Sequence, residues 1–187
     1  MANGMTIPKS VKLAAMKALY LMRHAKSSWS EPGLGDQQRP LNSRGLRDAP
    51  MMGQRFRDRG ERVDRIVASP AQRARQTAQL FGENCGFDTD SIEIDEGLYF
   101  LGSGAIEAAI HRQPESPEAL MLVFHNPDIT YFVNAIDYDF RIDNMPTSGL
   151  VRFRCDIERW SDWSVDSSAF DYVDYPKNDS GDVLRAR

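Results

Sequence analysis

The chain has 187 residues, of which 41% are hydrophobic and 27% charged, enough apolar material for one ordinary core and too much for wholesale disorder. Its 27 acidic and 23 basic residues sum to −4, but residues 1–75 hold 15 Lys/Arg against 6 Asp/Glu, whereas residues 76–187 hold 8 against 21. That polarity, with 11 arginines between Arg23 and Arg75, argues against a uniformly basic nucleic-acid binder and leaves room for a local anion site.

No apolar run approaches the roughly 18 residues a transmembrane helix needs, and Leu13-Ala14-Ala15-Met16 is too short for a secretory segment. Cys85 and Cys155 form no metal motif and are expected to be free, reduced thiols. The expectation is a cytoplasmic globular protein with no membrane partner.

Residues 1–17 show no strong periodicity and are read as a flexible N-terminal extension, with a single domain over 18–187. Ala18-Leu19-Tyr20-Leu21-Met22 is a short apolar run of the kind found in buried strands. Residues 27–42, with Glu-Pro-Gly, Gly-Asp and Arg-Pro, hold too many breakers for a regular element. From about Asn42, Leu46, Ala49, Gly53 and Phe56 recur at helical spacing, and Pro50 is expected to kink the helix. Arg44, Arg47, Arg55, Arg57, Arg59 and Arg62, interleaved with Asp48 and Asp58, read as its solvated face.

Arg65-Ile66-Val67-Ala68 is a second strand, after which Ser69-Pro70 reads as N-cap and first helical residue. That helix runs to about Gly82, with Ala74, Ala78 and Phe81 inward. A third strand is expected over Ser91–Ile94 and a helix over residues 103–112, which leaves His111 on the surface. Ala119–Phe124 is the clearest buried strand, and Asn126-Pro127-Asp128 repeats the cap-proline-acid pattern of a helix start. Leu150–Ile157 alternates like a more exposed strand, Trp160 and Trp163 are expected to close the core, and the acidic tail from Asp162 to wrap the surface. Its aspartates fit no calcium loop, so no metal site is expected. Strands alternating with helices predict an α/β layered sheet.

In such sheets ligands gather at the carboxyl ends of strands, beside helix N-termini whose free N–H groups favour anions. Three predicted strand ends carry matching chemistry: Arg23-His24, then Ser69-Pro70 with Arg73 one turn on, then His125. Two of the three histidines thus fall at equivalent edges.

These residues also carry a family resemblance. Leu21-Met22-Arg23-His24-Ala25 resembles the Arg-His-Gly signature of the histidine phosphatase superfamily, with Ala25 in the place of Gly. Ser69 through Thr77-Ala78 is similar to its second block, and Phe124-His125-Asn126-Pro127 to its third. Arg23 through Trp29, followed by Arg39 through Gly45, looks most like the SixA-type phosphohistidine phosphatases, a branch that Tyr175-Pro176-Lys177 also resembles.

The resemblance implies a three-layer α/β/α sandwich with a mostly parallel central sheet, phosphoglycerate-mutase-like, and a phosphatase without cofactor. His24 would be the nucleophile, kept neutral by Arg23 and Arg73, which clamp the phosphoryl oxygens. His125 would stay protonated against the phosphate, and Ser27, Ser30 and Asn126 would join the phosphate or substrate contacts, with Ser30 where many relatives carry an asparagine. Glu96 is the candidate general acid, in a setting that matches the family's acid block weakly; an imidazole leaving group has little need of one. Phosphohistidine on a protein is therefore the expected substrate. A phosphatase for small phosphomonoesters and a non-catalytic phospho-ligand binder stay open as alternatives.

Overall fold

A computed structural model describes residues 16–137, 140–178 and 184–185. The greater part of the expected N-terminal extension lies outside the described residues, but the first strand, β1 (Met16–Arg23), starts two residues before the expected Ala18. Lys17 within it is buried and donates from Nζ to the carbonyls of Glu115 and Pro117, both at 2.9 Å. Its charge is satisfied within the strand by backbone about a hundred residues away.

β1 leads through the irregular segment 24–42 to α1 (Ser43–Asp58), capped by Asn42, whose side chain accepts from the Gly45 amide at 3.0 Å. The helix runs unbroken through Pro50. β2 (Arg65–Ala68), α2 (Gln72–Cys85), β3 (Glu93–Ile94), α3 (Ser103–His111), β4 (Ala119–Phe124) and α4 (Asp128–Ile136) follow, then β5 (Leu150–Asp156), β6 (Ser168–Asp174) and β7 (Leu184–Arg185). The sheet order is β3-β2-β4-β1-β5-β6-β7. The first four are mutually parallel, and β5, β6 and β7 are each antiparallel to the preceding neighbour.

Alternation along the strands divides the core into two layers, as a period of two requires. Leu19 and Leu21 of β1, with Leu120, Leu122 and Phe124 of β4, pack with Ile106, Ala109 and Ile110 of α3 and with Ile129, Phe132 and Val133 of α4. Ala18, Tyr20 and Met22, with Met121 and Val123, face the opposite way onto Met52 and Phe56 of α1 and Ala74, Ala78 and Phe81 of α2. The result is the expected α/β/α sandwich. Gly53 lets α1 and α2 cross closely: a Cβ there would collide with the carbonyl oxygen of Phe81.

Several local expectations are corrected. The inward stripe of α1 comprises Gly45, Asp48, Ala49, Met52, Gly53 and Phe56, whereas Leu46 lies off it and is 50% exposed. α2 starts at Gln72 behind Ala71, so Ser69 is not its cap. Pro127, not Asn126, precedes α4, and the Asn126-Pro127 bond is cis. β5 is an interior strand with Leu150, Val151, Phe153 and Cys155 fully buried. The described part of the tail enters the sheet as β6, with Phe170, Tyr172 and Val173 buried, where a surface wrap is expected. Trp160 and Trp163 are buried in the core as expected, and the two cysteines are free.

Candidate active site

Three adjacent parallel strands, in the order β2-β4-β1, end on the same edge of the sheet. The residues that leave them are Ser69, His125 and His24. Sheet hydrogen bonding carries this alignment past the strand ends: the His24 amide donates to Phe124 O at 3.0 Å, and the Ser69 amide to Val123 O at 2.9 Å. The two imidazoles consequently lie with ring centroids 5.0 Å apart.

His24 is 8% exposed, and its Nδ1 lies 2.7 Å from the carbonyl oxygen of Ala25. A carbonyl only accepts, so Nδ1 carries the proton and Nε2 is left with its lone pair. Ala25 is itself tied down, its amide donating to Thr77 Oγ1 at 2.9 Å. Burial pushes the His24 pKa down to about 3, against the upward pull of the Ala25 carbonyl and with the help of Arg73, Arg23 and Arg39. The ring is neutral at physiological pH.

His125 is 1% exposed, and its Nε2 lies 2.7 Å from Ser69 Oγ. Tyr99 meets its ring edge-on at 5.5 Å, and Phe100 lies 4.8 Å away, held there by a left-handed backbone at φ 56°. The expected protonation of His125 refers to a site that holds a phosphate dianion; on the free ring the neighbouring groups act the other way. Burial first, then His24, Arg73 and Arg23, lower its pKa to about 2, and the Asp36 carboxylate opposes them without prevailing.

Arg73 is 1% exposed and reaches the pocket from the first turn of α2. Its Nη1 donates to Asp36 O at 2.6 Å and its Nη2 to Asp36 Oδ2 at 2.8 Å. The same Oδ2 accepts from the Tyr99 hydroxyl at 2.8 Å, and Arg39 pairs with Oδ1 while stacking 3.5 Å from the Trp29 ring. Partial burial pushes the Asp36 carboxyl up, yet Tyr99 and the two arginines hold it below the usual range. The breaker-rich segment 27–42 is thus closed over Arg73 by one carboxylate.

Arg23, from the end of β1, donates Nη1 to Met145 O at 2.5 Å and to Asn144 Oδ1 at 3.4 Å. Asn126 serves the same loop: its Nδ2 donates to Met145 O at 3.2 Å and to Asn144, and its Oδ1 accepts from Thr130 at 2.8 Å. Ser148, with φ 59°, turns that loop so that its amide donates to Arg23 O at 3.2 Å. Arg23 Nε, Arg73 Nε and His125 Nδ1 are buried polar atoms without a hydrogen-bond partner among the described residues. Unsatisfied nitrogens on two arginines and a histidine that act on His24 suit the oxygens of an anion.

The structure therefore brings together His24, Arg23, Arg73 and His125, with Asn126 supporting Arg23. Ser27 is buried in an isolated bridge to Leu41, and Ser30 is exposed and bonded to Ser28 at 2.6 Å. Glu96 is exposed in a 3-10 turn, and no hydrogen bond or ring contact joins it to either histidine. Asp36, Tyr99, Phe100 and the side-chain role of Ser69 were not foreseen. Of these, Ser69 lies in the second motif block, and Tyr99 and Phe100 lie in the weakly matching acid block around Glu96. Among the described residues no three His, Cys, Asp or Glu side chains are grouped to hold a metal ion, and no helix is long and apolar enough to cross a membrane.

Residues 19–131 match the model of the histidine phosphatase superfamily, branch 1, and the chain belongs to that superfamily. An uncharacterized protein of Mycobacterium tuberculosis is 36% identical over 106 residues, covering 57% of this chain and 63% of that protein. The chain thus spans less than two thirds of the length of the curated relatives it matches first. Among solved structures, a provisionally assigned phosphohistidine phosphatase SixA from Agrobacterium tumefaciens superposes with TM-score 0.71 at 29% identity, over 86% of this chain and 98% of that one. The protein histidine phosphatase SixA in complex with tungstate gives TM-score 0.73 at 21% identity, over 86% and 98% of the two chains. The SixA-type likeness and the phosphoglycerate-mutase-like fold expected from the motifs are both met.

Proposed function

We propose that this chain is a phosphohistidine phosphatase of the cytoplasm that needs no cofactor and works through a phosphohistidine intermediate on His24. The observation that carries the reading is the His24 tautomer: Nδ1 is committed to the Ala25 carbonyl at 2.7 Å, which leaves a neutral, buried Nε2 as nucleophile beside two guanidinium groups. Nε2 attacks phosphorus, and the bond from phosphorus to the substrate's ring nitrogen breaks. The leaving imidazole departs neutral when its second nitrogen carries a proton, so a strong acid is not required at Glu96. Water then attacks the phosphoryl group on His24, releasing inorganic phosphate and restoring the free ring.

Arg23 and Arg73, whose Nε atoms have no partner among the described residues, would bind the phosphoryl oxygens and stabilise charge that grows in the transition state. The phosphoryl dianion also offsets the cations that depress His125, so a bound substrate restores the basicity His125 lacks otherwise. The SixA protein solved with tungstate, an oxyanion of phosphate-like shape, is in keeping with this use of the pocket.

The test is hydrolysis of a phosphohistidine-bearing protein beside p-nitrophenyl phosphate and sugar phosphates, with and without EDTA. The expected result is preference for phosphohistidine, indifference to EDTA and loss of turnover in His24→Ala with phosphate binding partly retained. Preference for the esters would refute the substrate, loss in EDTA the cofactor independence, and an active His24→Ala the nucleophile.

A further inference from the structure

Beside the histidine pocket lies a cavity of about 620 Å³ that shares Arg23 with it. One wall is a stripe of α1, where Arg44, Arg47, Met51 and Arg55 follow at helical spacing. The facing wall is formed by the Asn144–Thr147 loop and by Tyr175–Lys177, with Lys26 at the catalytic end. Arg44 bridges the walls, donating Nη2 to Thr147 Oγ1 at 2.8 Å.

Its charge is lopsided. Among the described residues six cations line it, Arg23, Lys26, Arg44, Arg47, Arg55 and Lys177, against the single carboxylate of Asp48. Asp48 is already engaged by Arg47 at 2.8 Å and Arg44 at 3.5 Å. Arg55 is committed to Asp174 at 3.7 Å and to the Tyr175 and Asn178 carbonyls. Arg23 feels the surplus, its pKa lowered by burial and by neighbouring Arg44. Between the cations lie apolar surfaces of Met51, Pro146, Tyr175 and Pro176.

A lone phosphoryl group engages Arg23 at one end and leaves the rest of this space free. Cavities of about 300–1,000 Å³ take drug-sized ligands, and alternating cations and apolar patches suit a polypeptide that presents carboxylates with aliphatic or aromatic side chains between them. We propose that this cavity is a substrate-recognition subsite that binds an acidic segment of the phosphorylated protein, next to the residue being dephosphorylated. The inference rests on the reading that the substrate is a phosphoprotein.

Binding separates the subsite from the identity of the bond hydrolysed. Two phosphoserine peptides, flanked by three Glu or by three Gln, are titrated into His24→Ala, which does not turn them over. Exposed ion pairs are individually weak, so three of them together are expected to make the Glu peptide bind about tenfold more tightly in dilute salt, an advantage that shrinks at high ionic strength. Adding Arg47→Glu and Lys177→Glu, at two exposed positions, should abolish the difference. With His24 intact, the same pair of substitutions should leave p-nitrophenyl phosphate turnover within about twofold. As a measurement independent of the His24 variant, the unphosphorylated peptides should compete with p-nitrophenyl phosphate in the same order.

Equal affinity for the two peptides would overturn the proposal, as would a Glu preference that survives the charge reversals. A sugar bisphosphate that loses affinity on charge reversal while the Glu peptide holds no advantage would assign the cavity to small polyphosphates instead. Failure to hydrolyse phosphohistidine would refute the proposed function and leave these binding results in force.

Discussion

Burying two neutral histidines side by side makes folding pH-dependent, and the size of the effect follows from their surroundings. His24 and His125 are 8% and 1% exposed, and their pKa values fall to about 3 and about 2. In the unfolded chain both titrate near 6.5. Between those limits the unfolded state binds more protons than the native one, so stability is fully present above about pH 6.5 and is lost as pH falls below it. At pH 5.5, one unit below the unfolded value, each ring costs about 1.4 kcal/mol relative to pH 8, and the pair about 3 kcal/mol. Urea unfolding at the two pH values, for the native chain and for His24→Asn/His125→Asn, isolates the term. The native chain should lose about 3 kcal/mol more than the double variant. Equal losses would mean that the imidazoles titrate as they do in water, and the argument for a neutral His24 nucleophile would fail with them.

Three further outcomes are expected. Asp36→Asn weakens the hold on the Arg73 guanidinium, whose Nη2 lies 2.8 Å from the carboxylate, and should tighten inhibition by inorganic phosphate several-fold; weaker inhibition would show instead that Asp36 positions Arg73 for the substrate. Ser69→Ala removes the partner of His125 Nε2 at 2.7 Å and should lower kcat/KM about tenfold, near the value of one hydrogen bond; Ser69→Thr should restore part of it, and unchanged kinetics would remove Ser69 from the site. Gly45→Ala places a Cβ against the Lys26 carbonyl oxygen, two residues beyond His24. It should cost about 1–3 kcal/mol by overpacking and lower kcat beyond what the lost stability explains, as seen by comparing turnover with thermal unfolding; turnover that follows the folded fraction alone would contradict that coupling.

What the sequence reveals and what it hides divide along one physical line. β4 is legible because all six of its residues are buried, so its apolar run is uninterrupted. His24 and His125 are legible because each directly follows a strand, and neighbouring parallel strands bring their ends together. Lys17 is hidden because its partners, the carbonyls of Glu115 and Pro117, are about a hundred residues away. The tail is misread for the same reason. Asp174 looks like surface charge, yet it is 2% exposed and held by Arg59 at 2.7 Å, which lets β6 enter the sheet. Asp36 sits in a segment without periodicity and meets Arg73 and Tyr99 at separations of 37 and 63 residues. No local pattern encodes such a contact.

The uneven charge of the chain resolves in the same way. The arginines between positions 23 and 75 do not act as one basic surface. Arg23 and Arg73 keep buried Nε atoms that are unpartnered among the described residues, and they depress the pKa of both histidines. Arg55 and Arg59 fasten the C-terminal stretch through Asp174. Arg44 and Arg47 share Asp48 at the rim of the adjoining cavity. Of the solvated face expected of α1 and its exit, Arg44, Arg47, Arg57 and Arg62 are exposed, whereas Arg55 and Arg59 are drawn in by Asp174. Neutralising Asp174 would release paired cations that fasten the C-terminal stretch, whereas neutralising Arg47 or Lys177 would remove charge that the cavity holds in excess. The two kinds of substitution should therefore separate cleanly: the first in unfolding experiments, the second in the affinity of an acidic substrate.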